Sequence, residues 1–514
     1  MFRPDRRAGG ARIVATRVEG SWVVAFDGRE HVLLRDGAVE IEGDHIAWIG
    51  QSADRPARGP VLGGPGRLII PGLINTHVHA SSQASERMIA DAGRLDLYNT
   101  GFLNYIPRKG RPTERTAPLV DPESPEVGGV YTVVNLLRSG CTTMVEIGGE
   151  LGGIGRIDEF VEVCGALGIR AYLGPGYSAA TWYYDRANRL KQAWHIEQGM
   201  ADLERAIRFI EERDGSYDGR IRGMLFPLEV ASSTRELLRA TIKAADRLNV
   251  GISIHAAEAQ LEWHRIVTDY GLTPVRFLEE SGLLRPGVIL GHCIYIDEHS
   301  ATTYSDRGDL RLLGSSGVAV AHCPLVFARR GIGLESFDRY REAGVTMALG
   351  TDVFPQDLLY EMKIASVVAK IMDRSFRSGH ARDLFNAATL GGAAALRRDD
   401  LGRLALGALA DLAVVNLRSR HIGSVRDPIS ALVHGATSAD VESVLVNGRV
   451  VVTPDGVPGV DEDLLLAKVQ TVGDTIWRAY DQYRWDGQSL EAVAPPCFRT
   501  VDRFPGGAVP AGEE

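Results

Sequence analysis

The chain has 514 residues, 45% of them hydrophobic, with a formal net charge of −9 and a pI near 5.9. That balance supports a large buried core and argues against a nucleic-acid polyanion as the main partner. Five cysteines (Cys141, Cys164, Cys293, Cys323 and Cys497) form no C-x-x-C pair, which points to a reduced, cytoplasmic protein without a zinc ribbon or disulfide framework. The basic N-terminus lacks the apolar stretch of a signal peptide, and no apolar run reaches the roughly 18–20 residues of a membrane span.

Residues 11–70 read as short strands, Val23–Phe26, His31–Leu34, Ala38–Glu42 and His45–Gly50, separated by Gly and Asp turn signals. The same texture returns in Asp411–Asn416 and in Val441–Val452, where Asn447-Gly448 signals a hairpin turn. Two β-rich pieces at opposite ends of a chain can pair into one small domain.

Between them, apolar runs alternate with helical stretches. The runs are Leu68–Ile74, Cys141–Ile147, Ala171–Pro175, Gly223–Leu228, Val250–His255, Val288–His292, Val318–His322 and Thr346–Gly350. Helical segments fall at Ser124–Ser139, Ile157–Leu167, Ala201–Arg213, Ser233–Leu248, Pro274–Ser281, Leu334–Ala343 and Asp357–Met372. Buried strands alternating with helices indicate parallel βα units, and about eight of them predict an α/β fold of the TIM-barrel kind. Residues 375–400 read as helical. One further helix is expected over Asp461–Tyr483, ahead of a Pro/Gly-rich loose end. The expected division is residues 1–67 with 403–455 as a composite β-sandwich, 68–402 as the barrel, and 456–514 as a C-terminal extension.

The chemistry concentrates at strand ends. His77 and His79 follow an apolar strand in PGLINTHVHA, and alternate residues on a strand can converge on one point. Alone, the pair reads equally well as two surface histidines after a turn. His255 ends GISIH, His292 ends VILGH, His322 ends VAVAH and Asp352 ends TMALGTD. A closed barrel whose strands share one mouth is the simplest geometry that gathers them. Imidazole and carboxylate ligands without thiolate suit zinc, iron, manganese or cobalt as a divalent ion, and such an ion acidifies its water toward neutrality. Glu258 stands three residues after His255. If a helix begins there, Glu258 leans over the metal as a proton shuttle; the bland alternative is a first-turn glutamate stabilising a helix.

The motifs PGLINTHVH, HAAE, GHC, HCP and LGTD, in that order over about residues 11–452, resemble the amidohydrolase superfamily, in its branch of chlorohydrolases and aminohydrolases, which includes triazine hydrolases and nucleobase deaminases. The resemblance implies a distorted (β/α)8 barrel plus a small β-sandwich from both chain ends. It implies that His77, His79, His255 and Asp352 ligate one divalent ion, zinc first. It further implies that His292 polarises water or the leaving group, that Glu258 protonates the departing group, and that Asp352 takes the water proton. The expected reaction is metal-dependent hydrolysis of a C–N bond in an amide, urea, carbamate or amino-heterocycle. The alternatives are a binuclear cyclic amidase and a non-catalytic scaffold. The expected partner is a small-molecule substrate, not a nucleic acid or a membrane, and by analogy the chain is a homo-oligomer.

Two features depart from the relatives. After His322-Cys323-Pro324, Val326 and Phe327 replace a polar pair, which favours a substrate with an apolar or aromatic part over one read by hydrogen bonds. Arg329 and Arg330 beyond them either greet an anionic group or are solvated charges. No lysine stands near the end of either candidate fourth strand, which favours one metal over two. Glu146 ends an earlier strand and reads as a substrate-facing or structural group, with bridging as the lesser alternative. Trp182 lies in the aromatic segment Tyr177–Trp194, which either walls the pocket or packs beneath its loop or at a subunit contact. Glu146, His322, Phe327 and Trp182 are the candidate substrate contacts. Residues 92–122 form a long connection of the kind that often serves as a lid.

Overall fold

The computed structural model describes residues 17–57, 59–80, 124–148, 157–185, 187, 189–479, 481 and 488–501. The expected lid connection 92–122 and the last part of the C-terminal tail lie outside the described residues.

Eight parallel strands make the barrel: Leu73–Val78, Cys141–Glu146, Arg170–Leu173, Ile221–Pro227, Gly251–Ala256, Val288–His292, Ala319–His322 and Thr346–Leu349, each paired with the next. The ring closes through a parallel bridge between Val78 and Asp352. Register shifts between Leu73 and Ile74, and again between Asn75 and Val78, distort the first pairing. Ile74, Val145, Phe226, Ile289, Ala321 and Ala348 fill the interior, and helices cover the outside, among them Ser124–Arg138, Ile196–Arg213, Arg235–Leu248 and Leu358–Asp373. Among the described residues, no helix is long and apolar enough to cross a membrane.

Both chain ends build one seven-stranded sheet. Its strands are Arg17–Phe26, His31–Glu42, His45–Gln51 and Leu62–Pro71 from the first part, and Leu412–Asn416, Val441–Val446 and Arg449–Val452 from the second. Leu62–Pro71 joins the two parts, pairing with Arg17–Phe26 on one side and Leu412–Asn416 on the other. Val18, Val39, Ile46, Ile69, Val414 and Leu445 share one apolar core. The backbone of residues 404–410 laces the sheet together: Ile46 donates to Ala408, Ala410 to Asp44, and Gly448 to Ala410.

Several elements differ from the sequence expectation. The run Leu68–Ile74 is not one strand. It crosses between sheets at Gly72, whose N–H donates to Asp411 on the seven-stranded side while Leu73 donates to Gly140 on the barrel side. His31–Leu34 and Ala38–Glu42 are one strand, because Asp36 takes φ +46° and the chain bends without turning back. The Asn447-Gly448 hairpin forms as expected, both residues having positive φ as a two-residue turn requires. Ala180–Tyr184 and Leu190–Trp194 pair as a hairpin where a loop was expected. Gln260–Tyr270 is a helix that the sequence hid: its buried face carries Glu262 beside Trp263 and Ile266, so a charge interrupts the apolar periodicity. The C-terminal helix spans Glu462–Arg478 and meets Ser124–Arg138 through an Arg138–Glu462 ion pair of 3.2 Å.

Arg170, at the start of the third barrel strand, binds the barrel to the sheet. It reaches Asp411 at 3.1 Å with both side chains almost wholly buried, and it also donates to the Asn447 side chain.

Candidate metal centre

The seam that closes the barrel carries the first part of the site. The Asp352 N–H donates to the His77 carbonyl at 2.9 Å, and the His79 N–H donates to the Asp352 carbonyl at 2.8 Å. These bonds fix His77, His79 and Asp352 against one another before any side chain is considered. Asp352 Oδ1 then lies 3.6 Å from His77 Nε2 and 3.4 Å from His79 Nε2. His255, on the fifth strand, brings its Nε2 to 3.0 Å from His79 Nε2 with the rings within 4° of parallel. One potential ligand atom each of His77, His79 and His255 lies within 4.8 Å of the others, and the same is true of His77, His292 and Asp352.

Each ring is set up to offer a lone pair. His255 Nδ1 donates to the Leu228 carbonyl at 2.6 Å, which leaves Nε2 unprotonated in the neutral ring. Burial lowers the pKa of His77, His255 and His292, and takes that of His79 down to about 3. Burial alone would raise the Asp352 carboxyl, but the nearby His77 ring, 3.6 Å away, and the other surrounding imidazoles hold it well below the usual carboxylate range. His77 is fully buried, and neither ring nitrogen has a hydrogen-bond partner among the described residues. Orphaned nitrogens at such a site are costly unless something else binds them. Neutral imidazoles around one anionic carboxylate are the donor set that a divalent ion of the zinc type takes, so these residues fit such an ion.

Two glycines in the strand-end motifs make room for this ring. A Cβ on Gly291 would stand 2.7 Å from His77 Cε1, and one on Gly350 would stand 2.6 Å from His77 Cβ. The glycines of VILGH and MALGTD therefore belong to the site's packing.

Glu258 reaches the cluster differently from the expectation. No helix begins at His255; the next helix starts at Gln260. Ala257 takes φ +50° instead, and that left-handed residue swings Glu258 back over the mouth. One potential ligand atom each of Glu258, His255 and His292 lies within 4.8 Å of the others. Burial, with the Asp352 charge, raises the Glu258 carboxyl to about 7, and Arg330 counteracts part of that rise. The turn is held by Glu262, which the sequence reading missed. Glu262 is fully buried and accepts from the Ala257 N–H at 2.9 Å and the Glu258 N–H at 3.0 Å.

His292 shares its strand parity with Val288 and Leu290, which pack in the outer core. A φ of +76° turns it inward, to ring distances of 4.5 Å from His77 and 5.5 Å from His255. Neither of its nitrogens has a partner among the described residues. His322 has the same parity as Val320 and no such reversal. Its ring lies beside Phe337 of an outer helix, at 5.8 Å, and belongs to none of the described metal-capable groups.

The remaining candidates divide. Phe327 is buried on the short helix Pro324–Ala328 and packs edge-on to His292 at 4.8 Å, with Val326 buried beside it. Trp182 is buried on the hairpin, and its Nε1 donates to Glu229 at 2.9 Å. Glu146 has the parity of Met144, toward the outer core, and its charge bears on the Cys164 thiol of helix Ile157–Leu167. Arg329 donates to the Phe354 carbonyl at 2.6 Å and lies over its ring, which is a local packing role. Glu229, immediately beyond the fourth-strand run Gly223–Leu228, was also missed. Asking which polar residue follows each barrel strand would have found it.

Residues 68–451 match the Amidohydrolase family. A 5-methylthioadenosine/S-adenosylhomocysteine deaminase of Natronomonas pharaonis is 31% identical over 425 residues, covering 82% of this chain and 89% of the relative. A 5'-deoxyadenosine deaminase of Methanothermobacter thermautotrophicus is 30% identical, covering 81% and 89%. Among solved structures, a zinc-bound adenosine deaminase from Xanthomonas campestris superposes with a TM-score of 0.74 at 23% identity, over 90% of this chain and 98% of that one. The zinc complex of atrazine chlorohydrolase from Arthrobacter aurescens gives 0.69 at 23% identity, over 89% and 99%. Both likenesses are of fold.

Proposed function

The chain belongs to the amidohydrolase family, and from that membership we propose a zinc-dependent aminohydrolase in which His77, His79, His255 and Asp352 hold one ion. The enzyme class is metal-dependent hydrolysis of carbon–nitrogen bonds. The observation that carries the reading is the convergence of three neutral imidazoles and one anionic carboxylate, with both nitrogens of His77 orphaned among the described residues.

The chemistry a bound divalent ion supplies there is acidification of water toward about pH 7 and polarisation of the electrophilic carbon's substituent. The chain's own groups do the rest. Asp352, kept anionic, accepts the proton of the attacking water. Glu258, whose pKa of about 7 leaves it about half protonated at neutrality and largely protonated below it, delivers a proton to the departing nitrogen. His292 faces the same space and stabilises charge as the tetrahedral carbon forms. Water adds, the C–N bond breaks, and ammonia or an amine leaves.

Aminopurine nucleosides and similar amino-heterocycles come first among the proposed substrates, a ranking supported by likeness to relatives named as deaminases of 5'-deoxyadenosine and of 5-methylthioadenosine/S-adenosylhomocysteine. The buried Phe327 and Val326 beside His292 suit an aromatic ring. Amides, ureas and carbamates come second. One ion is favoured over two because the fourth strand ends without a lysine, and Glu229 stands outside the described metal-capable groups.

The test is release of ammonia and amines from aminopurine nucleosides, other amino-heterocycles, aryl ureas and amides, with zinc measured on the same sample. Ammonia from an amino-heterocycle, lost on chelation and restored by zinc, is the expected result. A zinc-loaded protein that releases nothing from any of them would contradict the reading.

A further inference from the structure

Glu229 is a buried carboxylate that the proposed chemistry leaves unused. It follows the fourth barrel strand, and its backbone bridges to His255. The Ser233 hydroxyl donates to its carbonyl at 2.8 Å, which fixes the main chain there. Its side chain is held chiefly at one end, by Trp182, with the Ser232 side chain a weaker neighbour that also favours the carboxylate. Oε1 accepts from Trp182 Nε1 at 2.9 Å, while Oε2 is buried without a partner among the described residues. The residue is 8% exposed. Burial raises its carboxyl to about 7, and the neighbouring Glu258 adds to that rise.

A glutamine would satisfy the indole N–H equally well and carry no charge into the interior. A carboxylate with one idle buried oxygen makes sense when a donor arrives from outside the chain. The direction is set by its neighbours, since His255 is its backbone partner and Glu258 its electrostatic one, so the idle oxygen belongs beside the reacting position. Trp182 is itself fixed: Gln192, on the opposite strand of its hairpin, donates to the Ala231 carbonyl at 2.8 Å.

We propose that Glu229, pinned by Trp182, is a specificity-determining residue that accepts a hydrogen bond from an N–H or O–H donor on the substrate, next to the carbon that is attacked. The assignment rests on the reading of the adjacent cluster as a hydrolytic centre. It narrows the substrate class to amino-heterocycles or ureas that keep a free donor beside the scissile bond. Analogues in which that donor is alkylated are rejected, because they would leave the buried oxygen unpaired.

The experiment compares zinc-loaded full-length protein with Glu229→Gln and Trp182→Phe. Matched pairs of amino-heterocycles and aryl ureas are used, with the neighbouring donor either free or methylated. kcat/KM is measured where turnover occurs, and Kd by calorimetry where it does not. The unmodified protein should prefer the free donor in at least one pair by roughly 100-fold. Glu229→Gln should shrink that preference at least about tenfold with zinc content and Tm retained, and Trp182→Phe should shrink it less. If Glu229→Gln does not fold, the reduced preference in Trp182→Phe carries the test. An unchanged preference in the variants, no preference in either turnover or binding, or a change in zinc stoichiometry would overturn the assignment. Discrimination in binding without any turnover would instead sink the hydrolytic reading and leave Glu229 as a recognition group.

Discussion

His255 gives its Nδ1 proton to the Leu228 carbonyl across 2.6 Å, and that bond decides which nitrogen it turns toward His79. Two imidazole nitrogens 3.0 Å apart, on rings within 4° of parallel, are close to the spacing of about 3.3 Å that two ligands of one tetrahedral zinc require. Replacing His79 or His255 by alanine should weaken zinc binding by more than about 100-fold and abolish turnover with it. Metal analysis after dialysis checks this. Full zinc content in either variant would remove that residue from the ligand set.

Glu258 should separate from the ligands in its effect. Glu258→Gln should keep zinc and lose roughly 100- to 10,000-fold in kcat. A carboxyl with a pKa of about 7 carries its proton below that value and loses it above. If donation to the leaving nitrogen limits the rate, kcat/KM should fall on the alkaline side of about pH 7, and a pH–rate profile shows whether it does. Loss of zinc in the glutamine variant would rule out the acid role.

Glu262 acts through Glu258. Its two oxygens hold the N–H groups of Ala257 and Glu258, and a glutamine can accept only one of them. Glu262→Gln should lower kcat about 10- to 100-fold with little change in KM or zinc content, since a misplaced acid fails mainly in the transition state. Equal losses in KM and zinc would mark a purely structural role.

The Arg170–Asp411 pair tests how barrel and sheet are joined. Asp411→Ala leaves a buried guanidinium whose remaining hydrogen-bond partners among the described residues are the Asn447 side chain and the Gly219 carbonyl, which should cost about 3–5 kcal/mol. A double variant, Arg170→Met with Asp411→Leu, should recover much of that loss in thermal melts. No recovery would mean that the surrounding packing, and not the stranded charge, dominates.

Much of the barrel, and the gathering of His77, His79, His255, His292 and Asp352 at its mouth, was legible because strand ends in a closed barrel share one mouth, so isolated His and Asp residues acquire a common location. What sequence periodicity could not supply was backbone reversal. His292 and His322 look equivalent in VILGH and VAVAH, yet only His292 takes a positive φ and turns inward. Glu258 is presented by the left-handed Ala257 and not by a helix. The change of sheet at Gly72 was invisible inside an unbroken apolar run. Glu229 and Glu262 were hidden because buried carboxylates break the patterns used to recognise buried segments.

One divalent ion on His77, His79, His255 and Asp352 is proposed to be required for turnover. Titrating chelator-treated protein with zinc, while following bound metal and ammonia release together, addresses that requirement most directly. Both should rise in parallel and saturate at one ion per chain. Saturation at two ions per chain, or ammonia release that is undiminished in metal-free protein, would contradict it.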